Sequence, residues 1–263
     1  MDFRNCYEDE AYAGAYAKLE FPGTYYLAFR DLPELLARHV GGRQALDFGC
    51  GTGRSTRFLV QLGFHAIGVD IAPEMIRHAR SMDPAGDYRL VQDGDLSQFA
   101  DGGFDLILSA FAFDNVPTRQ HKTSLFTELR RVLAVEGGIV NLVSAPEIYL
   151  HEWVSFSTKD FPENRQARCG DPVRIIVTSL ADRRPAVDIL WPDEAYREVY
   201  ARAGLSVRDV HRPLGCPDEP YEWVTETTTA PWVIYMLGRS QSTETKKKGR
   251  NGDRSLDKPG DET

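Results

Sequence analysis

The sequence predicts an α/β fold with a doubly wound, mostly parallel β-sheet. Two observations lead to this class. Short apolar runs alternate with helix-length amphipathic segments between residues 44 and 143, and a glycine-rich turn follows the first apolar run. Strands that alternate with helices at this spacing pair in parallel through right-handed crossovers. The chain has 263 residues, of which 42% are hydrophobic, so one sizeable core is expected.

Five apolar runs are predicted to form the first five strands, and three amphipathic stretches between them are predicted helices. The strands are expected at residues 44–48, 65–69, 88–92, 104–109 and 138–143, and the helices at residues 53–61, 73–81 and 119–135. Pro73 suits the first turn of its helix, where a missing N–H group costs nothing. In the third helix Leu125, Leu129 and Val132 share one face, and we expect Lys122 to point away from it.

After residue 144 the pattern changes to an irregular stretch rich in aromatic residues, proline and charge. Within it, short strands are predicted at residues 173–180 and 186–190. A helix at residues 193–203 is expected to end at Gly204, and strands at residues 205–210 and 232–237 complete a sheet of seven. Ligands bind at the carboxyl edge of such sheets, so an insertion after the fifth strand is a predicted lid.

The composition disfavours several classes of function. The net charge of −8, from 31 basic and 39 acidic residues, is a poor match for nucleic acid, which favours clustered lysine and arginine. No run of 18 apolar residues predicts a membrane span, and the acidic N-terminus has no apolar signal core. The four cysteines and six histidines show no metal-ligand spacing, so no metal site and a cytoplasmic location are expected.

The strongest local signal is the glycine-rich turn after the first predicted strand, with the sequence ALDFGCGTGRST over residues 45–56. Glycines there allow positive φ angles and let a ligand approach backbone N–H groups. A dinucleotide-binding turn would have glycine at position 54, where this chain has Arg54, which disfavours an NAD-dependent oxidoreductase. Asp47 precedes the first glycine, and an acid there suits a ligand with an ammonium group better than a diphosphate.

This turn resembles motif I, D-x-G-x-G-x-G, of the class I S-adenosylmethionine-dependent methyltransferases. Segments similar to the other motifs of that family follow in the expected order, at residues 68–75, 91–96, 99–117 and 128–138. The resemblance implies a seven-stranded Rossmann-like methyltransferase fold with S-adenosylmethionine as cofactor.

The sequence pattern and the resemblance together predict a division of the chain. The expected parts are an N-terminal helical segment that closes over the cofactor (1–40), a cofactor-binding half (41–144), a lid for the substrate (145–192), the last helix and strands (193–239) and a disordered tail (240–263).

The family's binding roles can be placed on this sequence. Asp47 is expected to bind the methionine amino group and Asp70 both ribose hydroxyls, and Asp93 is expected to face the adenine amino group, with Asp95 as the alternative if that loop is shifted. The full set of expected cofactor residues is Tyr16, Phe21, Tyr25, Asp47, Gly49, Cys50, Gly51, Gly53, Asp70, Ile71, Met75, Asp93, Gly94, Asp95, Ser109, Ala110 and Phe111.

The acceptor site is less clearly marked. Asp114 stands where many small-molecule members have a histidine, and we expect it to act as a catalytic base, with Asn115, Trp153 and Arg174 as further substrate contacts. The expected reaction is in-line methyl transfer to nitrogen or oxygen of a small molecule by a monomer or homodimer.

Two other functions stay open. One is a non-catalytic S-adenosylmethionine-binding protein. The other is a methyltransferase of RNA or protein, which would need a basic groove. Its candidate residues are Arg54, Arg57, Arg165, Arg168 and Arg174.

Overall fold

The structure, a computed structural model, describes residues 22–180 and 182–240. The expected cofactor contacts of Tyr16 and Phe21 lie outside the described residues, as does the predicted disordered tail beyond Ser240.

The described part of the chain contains one large sheet of seven strands and one small sheet of three. In chain order the strands are β1 (Gln44–Phe48), β2 (His65–Asp70), β3 (Asp87–Leu90), β4 (Phe104–Ala110), β5 (Leu133–Ser144), β6 (Phe156–Ser157), β7 (Pro172–Val177), β8 (Ala186–Ile189), β9 (Leu205–His211) and β10 (Trp232–Arg239). The large sheet has the order β3-β2-β1-β4-β5-β10-β9, and the small sheet has the order β6-β7-β8. Strands β1 to β5 pair in parallel, whereas β10 is antiparallel to both neighbours. The predicted α/β class and its mostly parallel sheet are confirmed.

Helices cover the large sheet, and its strands contribute to two separate cores. The helices are α1 (Thr24–Arg30), α2 (Leu32–His39), α3 (Arg54–Gln61), α4 (Pro73–Met82), α5 (Arg119–Val132) and α6 (Asp193–Arg202). In β4, Leu106 and Leu108 pack in one apolar cluster and Ile107 in the other, because successive side chains point to opposite faces. Among the described residues, no helix has the length and apolar character needed to cross a membrane.

Two expectations for the third predicted helix are wrong. Helix α5 ends at Val132, and the next residues begin β5, whose Leu133 pairs with Phe104 of β4. The apolar pattern continues across this boundary, but sheet pairing overrides it. Lys122 is fully buried instead of pointing away from the core, since a residue three positions before Leu125 lies on the same helix face.

A buried polar network fixes the start of α1 to Ser155, Glu226 and Trp232, which are distant in sequence. The Thr24 hydroxyl donates to Glu226 Oε1 at 2.6 Å, and the Thr24 N–H donates to Ser155 Oγ at 3.0 Å. The Trp232 indole N–H donates to the Thr24 carbonyl at 2.8 Å. Gly23 is required before the helix, because a Cβ there would meet Ser155 Oγ at 2.4 Å and its φ is +55°. The network therefore places the ring of the next residue, Tyr25, at the carboxyl edge of the large sheet.

Candidate active site

The glycine-rich turn between β1 and α3 forms the floor of a cleft at the carboxyl edge of the large sheet. Gly51 has φ +54°, and a Cβ added there would meet no atom within 4 Å, so its backbone faces open space. The Gly51 N–H donates to Asp70 Oδ2 at 2.8 Å, and the Ala72 N–H donates to Asp70 Oδ1 at 2.8 Å. These two bonds fix the orientation of the Asp70 carboxylate, and each of its oxygens can still accept a hydrogen bond from a ligand hydroxyl.

The cleft has a free volume of about 400 Å³, which is within the usual range for small-molecule and cofactor sites. Several expected cofactor residues line it, namely Gly49, Gly51, Asp70, Ile71, Met75, Asp93, Ala110 and Phe111. Residues that the sequence analysis did not select also line it, most of them apolar, namely Phe48, Val69, Val91, Val116, Leu125 and His121. The lining therefore combines many apolar side chains with a few polar groups.

Asp47, the acid expected at the methionine amino group, lies beneath the turn, is completely buried and does not line the cleft. Its Oδ2 accepts hydrogen bonds from the hydroxyls of Ser55 at 2.7 Å and Thr56 at 2.6 Å. Its Oδ1 is buried without a hydrogen-bond partner among the described residues. Burial raises the pKa of Asp47 to about 6. An acid with one unsatisfied buried oxygen favours a cationic or hydrogen-donating ligand group nearby.

Other expected cofactor residues do not line the cleft. Cys50 is buried in a small cluster with Tyr88, and Gly53 lies against the same ring, which a Cβ at Gly53 would meet at 2.6 Å. Asp95 accepts a hydrogen bond from the Ser97 N–H at the surface. Gly94 and Ser109 are also outside the lining, and Ser109 is fully buried within β4.

Of the two acids considered for the adenine position, Asp93 lines the cleft, and its carboxylate lies 3.1 Å from His121 Nε2. The imidazole of His121 therefore shares the carboxylate that the resemblance assigns to adenine.

Phe111 occupies the junction between this cleft and a second, smaller cavity. It follows β4 and has φ +66°, the one positive φ of a non-glycine residue in the described chain. Its N–H donates to the Leu142 carbonyl at 2.8 Å. Strained backbone of this kind costs on the order of 1 kcal/mol or more and is concentrated at functional sites.

The second cavity, which we call the aspartate chamber, has a free volume of about 30 Å³. Acidic, polar and aromatic side chains line it, with a few aliphatic ones. The lining residues are Tyr25, Phe111, Asp114, Asn115, Ser144, Ile148, Tyr149, Phe156, Ile175, Val177, Ala186, Asp188 and Trp232. Phe111 and Asn115 also line the cleft, so the two cavities adjoin at these residues. The small sheet supplies Asp188 and several apolar side chains to this lining.

The two acids of the chamber are held by different partners. Asp114 is buried, and its Oδ2 accepts from the Ser144 hydroxyl at 2.8 Å and from the Ser144 N–H at 3.1 Å. Asp188 accepts from the Tyr149 hydroxyl at 3.0 Å. Burial raises the pKa of both carboxyls, and the negative charge of Asp188 raises that of Asp114 further. Burial also lowers the pKa of Lys122, whose charge acts on both acids.

Two of the four expected substrate residues line the chamber, and the other two do not. Asp114 and Asn115 line the chamber, and Tyr25, expected at the cofactor, lines the chamber rather than the cleft. Trp153 is buried and donates its indole N–H to the Ile148 carbonyl. Arg174 is half exposed and pairs with Glu163. Both lie outside the chamber lining.

Three polar residues of the chamber, Ser144, Tyr149 and Asp188, were not predicted from the sequence as site residues. Asp188 alone gave a readable signal, because it interrupts the apolar run AVDIL of a predicted strand.

The doubly wound sheet and the ligand-sized cleft over its glycine-rich turn define an α/β protein with a candidate small-molecule site. Comparison with known proteins identifies the class more closely, because residues 46–141 match a family model described as a methyltransferase domain. These residues are therefore similar in sequence to a methyltransferase domain.

Similar proteins include the demethylmenaquinone methyltransferase of Tropheryma whipplei (strain Twist), 37% identical over 38% of this chain and 41% of that protein. The 18S rRNA (guanine-N(7))-methyltransferase of Bos taurus is 34% identical over 39% of each chain. The chain thus spans about two fifths of the length of these relatives.

Among solved structures, an S-adenosylmethionine-dependent methyltransferase from Clostridium acetobutylicum ATCC 824 has the same fold. The TM-score is 0.59 at 14% identity, over 90% of this chain and 100% of that one.

Proposed function

We propose that this protein is a methyltransferase that transfers the methyl group of S-adenosylmethionine to a nitrogen or oxygen atom of a small molecule. The observation that supports this most is that the cleft and the aspartate chamber adjoin at Phe111 and Asn115. A donor in the cleft and an acceptor in the chamber would meet at this junction. Alignment of two reactants in this way supplies on the order of 7 kcal/mol or more of the barrier reduction.

Residues that line the cleft, together with Asp47 buried beneath it, suit different parts of S-adenosylmethionine. Asp70 would hold the ribose hydroxyls, and Met75, Val91 and Leu125 offer apolar contact for the adenine ring. The unsatisfied Oδ1 of Asp47 suits the methionine amino group, directly or through water. When bound, the cofactor supplies a methyl group already activated by its positively charged sulfur. The chain's own residues then have to orient the acceptor, exclude water and accept a proton.

A small acceptor is favoured over RNA or protein by the size of the chamber and by the arrangement of the arginines. The chamber has room for only a few atoms. The guanidinium of Arg57 donates to the Thr52 carbonyl, that of Arg165 donates to the Leu150 carbonyl, and Arg174 pairs with Glu163. These arginines are thus engaged by their own chain. RNA remains the second candidate, because one of the relatives above is an rRNA methyltransferase.

The test is incubation of the protein with S-adenosylmethionine carrying a CD₃ group and a cell extract separated into small-molecule, RNA and protein fractions. We expect the CD₃ label in the small-molecule fraction, found by mass spectrometry. Label confined to RNA or protein would refute the proposed acceptor class. Cofactor binding by calorimetry without any labelled product would show a non-catalytic binding protein.

A further inference from the structure

We propose that the aspartate chamber receives the acceptor as an ammonium ion, so that the methylated atom is the nitrogen of a primary or secondary amine. This inference rests on the proposed methyltransferase function and narrows its acceptor from nitrogen or oxygen to amine nitrogen. Charge, aromatic surface and size lead to it independently.

The charges around the chamber are not balanced. Asp114 and Asp188 both line the chamber, and among the described residues Lys122 is the cation whose charge acts on both. The Lys122 ammonium donates to the Phe113 carbonyl oxygen. When all three groups are ionised, two negative charges face one positive charge, and desolvated carboxylates of this kind need a nearby cation. An ammonium ion in the chamber would supply it.

Four aromatic rings of the chamber lining pack against one another. The Trp232 ring centroid lies 4.8 Å from that of Phe111, 5.6 Å from that of Phe156 and 5.9 Å from that of Tyr25. Aromatic faces attract cations, by about 0.5–2 kcal/mol each depending on desolvation. The same cluster already holds one cation, because the Arg54 guanidinium carbon lies 5.0 Å from the Tyr25 ring centroid. Carboxylates combined with aromatic faces are the surroundings that an ammonium group favours.

The small volume of the chamber and the position of Asn115 also favour an amine. A free volume of about 30 Å³ admits one or two atoms the size of a water oxygen, which suits a terminal amine and excludes a phosphate or a ring. Asn115 lies at the junction with the cleft, and its Oδ1 is buried without a hydrogen-bond partner in the described chain. This oxygen can accept a hydrogen bond from an N–H group of the amine. That bond would orient the amine so that the lone pair of its nitrogen faces the cleft.

The chemistry distinguishes an amine from a hydroxyl. A carboxylate takes one proton from the ammonium group, which leaves a neutral nitrogen with a free electron pair. The nitrogen forms a C–N bond to the methyl carbon while the C–S bond breaks and its electron pair goes to sulfur. The product is an N-methylammonium ion, and the proton leaves the carboxyl for solvent. A hydroxyl acceptor that gave its proton to a carboxylate would instead leave a negatively charged oxygen beside the other aspartate, so the chamber would keep two negative charges and gain no cation to offset them.

The test compares matched amines and alcohols as probes: butylamine with butanol, and benzylamine with benzyl alcohol. Binding to the full chain at pH 7, with S-adenosylhomocysteine present, is measured by ligand-observed NMR. We expect at least one amine to bind ten times more tightly than its alcohol. This preference should fall below threefold in Asp188→Asn. Asp101→Asn removes one negative charge from an exposed carboxylate remote from the chamber, and it should keep the preference.

Asp114→Asn provides a second variant if Asp188→Asn unfolds, as judged by its thermal transition. Equal binding of amine and alcohol in every pair, absence of amine binding, or a preference that survives in both variants would overturn the proposal. Calorimetry with S-adenosylmethionine separates this failure from failure of the proposed function. A protein that binds the cofactor and transfers CD₃ but shows no amine preference refutes only the amine inference.

Discussion

The two adjoining cavities of this protein hold aspartate in different ways. In the cleft, Asp70 accepts hydrogen bonds from the backbone N–H groups of Gly51 and Ala72, so its carboxylate is held by the loops that surround it. In the chamber, Asp114 accepts hydrogen bonds from the hydroxyl and the N–H of Ser144, and Asp188 accepts one from the Tyr149 hydroxyl. Burial raises the pKa of all three carboxyls, but of the three only Asp114 has its pKa raised further by a neighbouring acid, Asp188. The glycine-rich turn and Asp70 thus form a preformed binding surface, which we call the cradle. In the chamber, by contrast, the negative charges of the acids are not balanced by the protein alone.

The largest expected effect is on the cradle. Gly51→Val should weaken S-adenosylmethionine binding at least 100-fold, because its side chain would project into the open space that the ligand needs. The control is Gly63→Val, which has a similarly positive φ of +85° and equally open surroundings in the turn after α3. Both variants share the backbone strain, so calorimetry should show normal binding in Gly63→Val alone. Normal binding in Gly51→Val would refute the cradle.

The next effect is on turnover in the chamber. Asp114→Asn should lower methyl transfer about 100-fold, since it removes a proton acceptor, while cofactor affinity stays within twofold. Asp101→Asn removes the same charge at an exposed position and should leave both quantities unchanged. The rates are measured as initial rates with CD₃-labelled cofactor, and the affinities are measured by calorimetry. Full activity of Asp114→Asn would show that Asp114 has no catalytic role.

A smaller effect is expected at the ribose position. Asp70→Ala should weaken cofactor binding by about 1–3 kcal/mol, the cost of losing a charged hydrogen-bond acceptor. Asp83→Ala, which removes an acceptor for the Tyr88 hydroxyl instead, should bind the cofactor normally. Unchanged affinity of Asp70→Ala, measured by calorimetry, would place the ribose elsewhere.

The smallest effect is the pH dependence of stability. Burial raises the pKa of Asp114 to about 7 from the usual 3.8, so between these values the folded state holds a proton that the unfolded state has lost. Stability contributed by this group therefore falls as pH rises through that window. From pH 5 to pH 7 the free energy of unfolding of the wild type should drop by roughly 1–2 kcal/mol more than that of Asp114→Asn. Parallel curves in urea unfolding would contradict the raised pKa.

The sequence predicted the cleft better than the chamber for a physical reason. Gly49 and Gly51 lie in the turn after β1, and Asp70 ends the neighbouring parallel strand β2, so a linear pattern reveals them. The chamber combines Tyr25, Asp114, Asp188 and Trp232, which come from a helix, a loop after β4, the small sheet and β10. No spacing along the chain encodes their meeting.

The fold shows the same contrast. The strand at 44–48 has the bounds that the sequence predicted, because its apolar run is short and ends at glycine. The end of α5 and the burial of Lys122 were mispredicted, since sheet pairing at Leu133 and the packing of Lys122 among Phe113, Trp191 and Tyr196 are long-range effects.

A crystal structure with S-adenosylhomocysteine tests the arrangement of the two cavities most directly. The predicted result has the ribose hydroxyls about 2.6–3.0 Å from the Asp70 carboxylate and the sulfur at the junction beside Phe111 and Asn115, facing the chamber. A ligand bound outside the cleft, or a sulfur directed away from the chamber, would contradict the account.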